Sequence, residues 1–199
     1  MKRIKKSECV EEVVSEILSG NLVCFPTDTL YGILGSALRK DAVEKVYRIK
    51  GRDRKKPLIV LFDSIKKALN LGVKVPENLS KLYPAPVTFV LPLEPESPFR
   101  QIFQRDNLAI RIPDDETLRK IISLSHPVFA PSANPQGKSP AENCRECYAY
   151  FDGEITLCVE GKPGNKPSTI VSLTEERPKL LREGAVPFEK ILEVMSWKD

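Results

Sequence analysis

No apolar run in this 199-residue chain approaches the roughly 20 residues needed to cross a bilayer. A membrane-spanning protein is therefore not expected. Histidine occurs once, as His126 beside Pro127, so a Ser-His-Asp or Cys-His hydrolase would have a single imidazole to recruit. Both glycine signatures of nucleotide binding, G-x-x-x-x-G-K-[ST] and G-x-G-x-x-G, are missing. There is no internal repeat and no low-complexity linker. The basic opening MKRIKKSECVEEVV passes into a pattern carrying Glu8, Glu11, Glu12 and Glu16 instead of an apolar signal core, which predicts a cytoplasmic protein. The five cysteines, Cys9, Cys24, Cys144, Cys147 and Cys158, are odd in number and scattered, as reduced thiols are, and do not suggest a disulfide framework. CREC at 144 to 147 has zinc-knuckle spacing, but no second such pair follows, so no metal site is expected.

What is present is ordinary in bulk and unusual in one place. Hydrophobic residues make up 41% and charged residues 29%, and 31 Lys and Arg against 27 Asp and Glu leave a net charge of +4. One domain over residues 1–199 is the expectation for such a length. The excess positive charge concentrates in RIKGRDRKKPLIVLF, where Arg48, Lys50, Arg52, Arg54, Lys55 and Lys56 stand against an apolar strand. Like charges crowded together repel, so the run is either a solvated face or a site for something strongly anionic.

Hydrophobic periodicity supplies the elements. Val10, Val13, Val14, Ile17 and Leu18 predict a helix over about 8 to 19, with Ser7 as N-cap and Gly20 at its end. A second helix runs from Asp41, with Glu44 in capping-box position, to Gly51. Further helical patterns lie at 64–71, 76–83, 114–124 and 188–197. Ser139, Pro140 and Glu142 read as cap, first-turn proline and capping acid of a helix running to about 150. LVCF, PLIVLF, VTFVLPL, LAIRI, PVFA, ITLCV, STIVSL and PKLLR read as strands. The fold class is α/β (α+β): a mixed sheet with flanking helices.

Polar loops at the strand ends are where chemistry would sit. Thr27 and Thr29 in FPTDTLYG either satisfy local turns or line a small-ligand pocket. Lys50 and Arg52 flank Gly51, which can reverse the chain so that both cations converge, although Lys50 alone would also suit a helix C-terminus. PSANPQGKSP offers Ser132, Asn134, Lys138 and Ser139 ahead of a helix N-terminus, where a phosphate is a reasonable guest. No nucleophile stands out, which leaves positioning and charge stabilisation as the chemistry.

Taken in order, FPTDTLYG, IKGRDRKKPLIVL, AIRIP, APSANPQGKSP, PSTIVSL and LLREGAV resemble the YrdC-type family of threonylcarbamoyl-AMP synthases over roughly residues 10–188. The resemblance implies a twisted mixed sheet around a large basic concave cavity. It implies a nucleotidyltransferase that joins L-threonine, bicarbonate and ATP, with magnesium accompanying the ATP, into threonylcarbamoyl-adenylate. That product would pass to a separate transferase machinery acting on tRNA. Position by position, Lys50 and Arg52 would be catalytic. They would meet the ATP phosphates together with Lys56, Ser132 and Asn134, while Ser139 and Arg182 would contact the nucleotide. Thr29, Arg111 and Ser168, with Thr27 as a further wall, would hold threonine, Arg111 through its forked donors. Three positions depart from the family pattern: Leu61 replaces a common histidine, Leu34 a glycine, and Asn107, placed among the ATP contacts, a threonine. The loss of a polar group at Leu61 puts threonine affinity in question.

Two other readings share these features. A double-stranded RNA or ribosome-binding module would use the same basic concavity for backbone phosphates, and weak RNA binding fits either case. Its basic face should extend well beyond one cluster, which the near-balanced remainder of the chain does not supply. The carbamoyl-transfer domains of hydrogenase maturation share the implied fold but occur within larger chains.

Overall fold

In a computed structural model of the chain, which describes residues 1–197, ten strands join in one sheet. They are β1 (Lys2–Lys5), β2 (Val23–Pro26), β3 (Tyr31–Ser36), β4 (Ile59–Leu61), β5 (Val87–Pro92), β6 (Asn107–Arg111), β7 (Val128–Phe129), β8 (Leu157–Glu160), β9 (Thr169–Ser172) and β10 (Lys179–Arg182). The order across the sheet is β1-β8-β2-β3-β7-β4-β6-β5-β9-β10. Pairings are mixed: β1 and β2 lie parallel to β8, β4 to β6 and β5 to β9, and the other neighbours are antiparallel. The continuous apolar runs fall on strands covered on both faces, as burial of both sides requires. The edges are short and charged, with Lys2, Arg3 and Lys5 on β1 and Lys179 and Arg182 on β10, which discourages pairing with other chains.

Seven helices cover this sheet among the described residues: α1 (Val10–Leu18), α2 (Lys40–Lys50), α3 (Ile65–Asn70), α4 (Pro98–Phe103), α5 (Glu116–Leu124), α6 (Cys144–Phe151) and α7 (Phe188–Val194). None is long and apolar enough to cross a membrane. Val13 and Ile17 of α1 and Leu118, Ile121 and Ile122 of α5 pack on Val23, Phe25, Leu34, Leu61 and Val128. On another apolar face, α2 and α6 cover Leu22, Cys24, Tyr31, Ile33 and Phe129. A third cluster joins Phe89, Leu91 and Ile110 to Phe62, Phe99, Ile191 and Met195.

Several local expectations are corrected. Ser7 lies in a 3-10 turn, Lys6–Glu8, and α1 begins after Cys9 without a side-chain cap. Asp41 pairs with Arg39 instead of capping α2. The pattern at 76–83 is a 3-10 turn, Glu77–Lys81. The strand YGILGS and the helix α4 were not expected, and the predicted helix at 188–197 ends at Val194. The cap of α6 is displaced by four residues: Asn143 Oδ1 accepts from the Glu146 N–H at 3.0 Å, and Glu146 returns bonds to the Glu142 N–H and Asn143 Nδ2. Ser139 is thus a loop residue and no N-cap. Asn143→Ala is expected to lower unfolding stability by about 0.5–2 kcal/mol, and Ser139→Ala to change it by less than about 0.5 kcal/mol. Chemical denaturation of both variants checks the assignment. The cysteines also depart from expectation, because Cys144 and Cys158 form a disulfide; Cys9, Cys24 and Cys147 are free and buried.

Candidate functional site

The basic run resolves into two populations. α2 ends at Lys50, and Gly51 takes a left-handed conformation (φ 58°) that turns the chain back on itself. Lys50 and Arg52 are thereby drawn inward, and their neighbours are left outside. Arg48 forms a forked pair with Glu154 at 2.9 and 3.0 Å, Arg54 approaches Glu44 at 3.8 Å and lies over the Tyr47 ring, and Lys55 and Lys56 are exposed.

Arg52 donates to the carbonyls of Lys56 (3.3 Å) and Pro57 (2.9 Å), which fixes its guanidinium at the rim of a cleft. The cleft has a volume of about 120 Å³. Its walls include Thr27, Thr29, Arg52, Ile59, Arg111, Ser132, Ser168 and Arg182. Thr27 and Thr29 do both things their spacing allowed. Thr27 Oγ1 accepts from the N–H groups of Thr29 and Leu30 and closes the turn, while Thr29 Oγ1 lies 3.0 Å from Thr27 Oγ1 and accepts from Arg111 Nη1 at 2.7 Å.

Arg111 ends β6 and is 4% exposed. Its Nη2 lies 3.4 Å from Asp28 Oδ1, and its buried Nε has no hydrogen-bond partner. Burial pushes its pKa down, and Asp28 works against that. Arg182, from β10, donates to the Ser168 carbonyl at 2.8 Å and to its hydroxyl at 3.3 Å; Ser168 also bonds Thr88. Burial lowers the Arg182 pKa first, followed by the charges of Arg111 and Arg52. Three guanidiniums from three distant stretches therefore meet at one cleft whose walls, among the described residues, carry no carboxylate; Asp28 pairs with Arg111. An anionic guest would relieve both the repulsion and the unpaired donor.

Other expected residues lie apart from this cleft. Lys50 Nζ donates to the carbonyls of Ser132 and Asn134 and so supports the loop from beneath. Asn134 is occupied within that loop, accepting from Ser132 Oγ at 2.6 Å and donating to the carbonyls of Pro135 and Lys138. Ser139 lines an adjoining cleft of about 380 Å³ that shares Leu30 and Tyr31 with the first. Asn107 starts β6, four residues from Arg111, which places it about 13 Å away along the strand. Leu34 and Leu61 are both fully buried in the cluster beneath α1 and α5, so they pack against each other's neighbours and do not line the cleft.

Two participants were not anticipated. Asp28, the middle residue of TDT, is the counter-charge of Arg111, and it also accepts from the Asp114 N–H at 3.1 Å. Gly164 donates its N–H to the Thr27 carbonyl, and a Cβ there would overlap the Asp28 and Thr29 carbonyls. A lone acidic residue between two threonines was a visible signal for the first; the second depends on a contact across 136 positions.

Lys50 carries a pH signature. Burial, and then the charge of Arg52, lower its pKa from 10.5 to about 8. Below pH 8 both folded and unfolded chains hold the proton, and the buried charge costs stability. Between about 8 and 10.5 the folded chain releases the proton first, so stability rises with pH. The stability of wild type relative to Lys50→Met is expected to increase across that window. Urea unfolding at stepped pH measures it.

The matches to known proteins cover this architecture. A relative from Pyrococcus abyssi, named threonylcarbamoyl-AMP synthase, is 36% identical over 186 residues; the match spans 90% of this chain and 55% of the relative. A putative threonylcarbamoyl-AMP synthase from Methanocaldococcus jannaschii is 33% identical over 192 residues, covering 94% and 91% of the two chains. The crystal structure of Pyrococcus abyssi Sua5 complexed with L-threonine superposes with a TM-score of 0.86 at 35% identity, over 97% of this chain and 58% of that one. The chain thus spans about half the length of the archaeal Sua5 and most of the Methanocaldococcus relative. The Sua5_yciO_yrdC family model, described as telomere recombination, matches residues 15–184, and the chain belongs to that family.

Proposed function

We propose that the chain is an L-threonylcarbamoyladenylate synthase acting in the cytoplasm on L-threonine, bicarbonate and ATP. The observation that carries this reading is the meeting of Arg52, Arg111 and Arg182 at one cleft with Thr29 and Ser168. Its substrates carry a carboxylate and a triphosphate, and the cleft offers the forked cationic donors that both require. Relatives named for this activity and a related protein complexed with L-threonine support it.

In this reading, Arg111 and Thr29 hold the threonine carboxylate, and Arg52 and Arg182 face the phosphates. The nucleoside extends toward the adjoining cleft that Ser139 lines. The neutral threonine amine attacks the carbon of carbon dioxide and loses a proton to solvent, or attacks bicarbonate with loss of water, to give the carbamate. A carbamate oxygen then attacks the α-phosphorus, and pyrophosphate leaves. Arg52 stabilises charge gathering on the departing phosphates. Among the described residues none that lines the cleft is a carboxylate, so magnesium is placed here with the nucleotide substrate. The product would pass to a transferase machinery that modifies tRNA. The continuous ten-stranded sheet supports treating residues 1–199 as one domain.

Pyrophosphate release from ATP is expected only when L-threonine and bicarbonate are both present. Serine should serve less well, since a lost methyl is worth about 1–3 kcal/mol in a hydrophobic pocket. Release that ignores threonine would contradict the assignment.

A further inference from the structure

Four of the five cysteines gather beneath the loop that Lys50 supports. Cys24 of β2 and Cys158 of β8 are partners in the parallel register, so they stand side by side on one face of the sheet. α6 packs on that face, and Cys144 and Cys147, three residues apart on the helix, project from the same side of it. The sulfurs of Cys24, Cys147 and Cys158 lie within 4.8 Å of one another, and Cys144 is bonded to Cys158. The group is enclosed: Cys24, Cys147 and Cys158 are 0% exposed and Cys144 5%. Tyr31, Ala141, Phe151 and Ile155 surround it. The synthase reaction proposed above uses none of these thiols.

We propose that, with the disulfide reduced, Cys24, Cys144, Cys147 and Cys158 form a tetrathiolate site for one thiophilic divalent cation, zinc in the first place. Four thiolates in tetrahedral array select zinc or iron over the hard cations. A zinc–sulfur length of about 2.3 Å sets sulfurs about 3.8 Å apart, a spacing inside the 4.8 Å span of the Cys24, Cys147 and Cys158 sulfurs; the Cys144 sulfur, released from Cys158, would move in as the fourth. The pair that CREC lacks in sequence is supplied across two neighbouring strands.

The steps balance. A dithiol reductant gives two electrons and two protons to the Cys144–Cys158 bond and becomes a disulfide itself; the sulfur–sulfur bond breaks and two S–H bonds form. Zinc then forms four Zn–S bonds while the four thiol protons pass to solvent, leaving a centre of charge −2. The Tyr31 hydroxyl lies 3.3 Å from Cys144 Sγ and 3.6 Å from Cys158 Sγ, with its hydrogen donated to the Val159 carbonyl. The buried Lys50 ammonium is the cation near enough to act on Cys24 and would offset part of that charge. Lys50 also holds the Ser132 and Asn134 carbonyls, so the metal centre would brace the floor of the anion cleft.

The test uses the whole protein, reduced by a dithiol under anaerobic conditions, stripped with a chelator and titrated with cobalt(II). Saturation at one equivalent is expected, with thiolate-to-metal charge transfer and the strong visible bands of a tetrahedral site, and zinc should bleach them. Cys24→Ser and Cys147→Ser should each lose that spectrum, while Cys9→Ser, in a separate cluster, should keep it. A wild-type readout guards against misfolded variants: zinc should release close to four protons per equivalent in weak buffer and raise the melting temperature. No saturable cobalt uptake by the reduced wild type would overturn the proposal. So would a thiolate spectrum unchanged in both Cys24→Ser and Cys147→Ser, which would leave the group a disulfide with two packing thiols.

Discussion

Replacing Arg52 by alanine is expected to cut threonine-dependent pyrophosphate release about 10²–10³-fold, the usual loss for a preorganised charge stabiliser. Arg54→Ala, two residues on, should stay within a few-fold of wild type. The contrast follows from the turn at Gly51. Arg52 is tied to the Lys56 and Pro57 carbonyls and lines the cleft, whereas Arg54 reaches outward to Glu44 and Tyr47. A diffuse nucleic-acid face would respond differently, because each cation there contributes a similar share of a salt-dependent attraction. Under that alternative the two substitutions would weaken duplex RNA binding equally, and synthesis would not separate them. Side-by-side kinetics and RNA titrations at two salt concentrations distinguish the cases.

Arg111→Met should be the most damaging single change to the fold as well as to the site. It removes one member of a buried pair and leaves the Asp28 carboxylate, whose side chain is 8% exposed, without its counter-charge. Breaking such a pair costs about 3–5 kcal/mol, mostly as the penalty on the group left behind. Adding Asp28→Asn to Arg111→Met should recover a good part of the stability, since the stranded charge is gone. It should recover none of the threonine binding, because the forked donor is still missing. Denaturant midpoints for the two single variants and the double variant, with threonine calorimetry on each, separate the structural role from the recognition role. A double variant as unstable as Arg111→Met would mean that the cost lies in lost packing of the guanidinium and not in Asp28.

The strands that could be read directly, LVCF and PLIVLF, contain β2 and β4, whose residues are almost wholly buried on both faces, so composition alone marks them. YGILGS is buried at every position but carries two glycines, which weaken a strand signal, so periodicity does not mark it. Ser139-Pro140-x-Glu142 imitates a helix start because serine, proline and glutamate are all favoured there; the helix instead takes Asn143 and Glu146, which offer the same cap chemistry four residues on. At the site, Arg52, Arg111 and Arg182 were brought together by the family resemblance alone; spacing could not show it, since β6 and β10 carry the last two 71 positions apart. Composition likewise could not divide the 48–56 run into inward and outward cations; the end of α2 does that. Leu34 and Leu61 looked like separate departures and are parts of one apolar cluster, so the missing polar group at Leu61 is taken up by core packing.

The central claim is that this cleft joins threonine, a one-carbon unit and the adenylate, and the product itself tests it most directly. The purified chain should be incubated with ATP, L-threonine and isotopically labelled bicarbonate, and the mixture resolved by mass spectrometry. A threonine-containing adenylate carrying the label in its carbamoyl carbon is expected, formed in step with pyrophosphate and about 10²–10³-fold more slowly with Arg52→Ala. An adenylate without the label, or ATP consumed to ADP and phosphate, would contradict it.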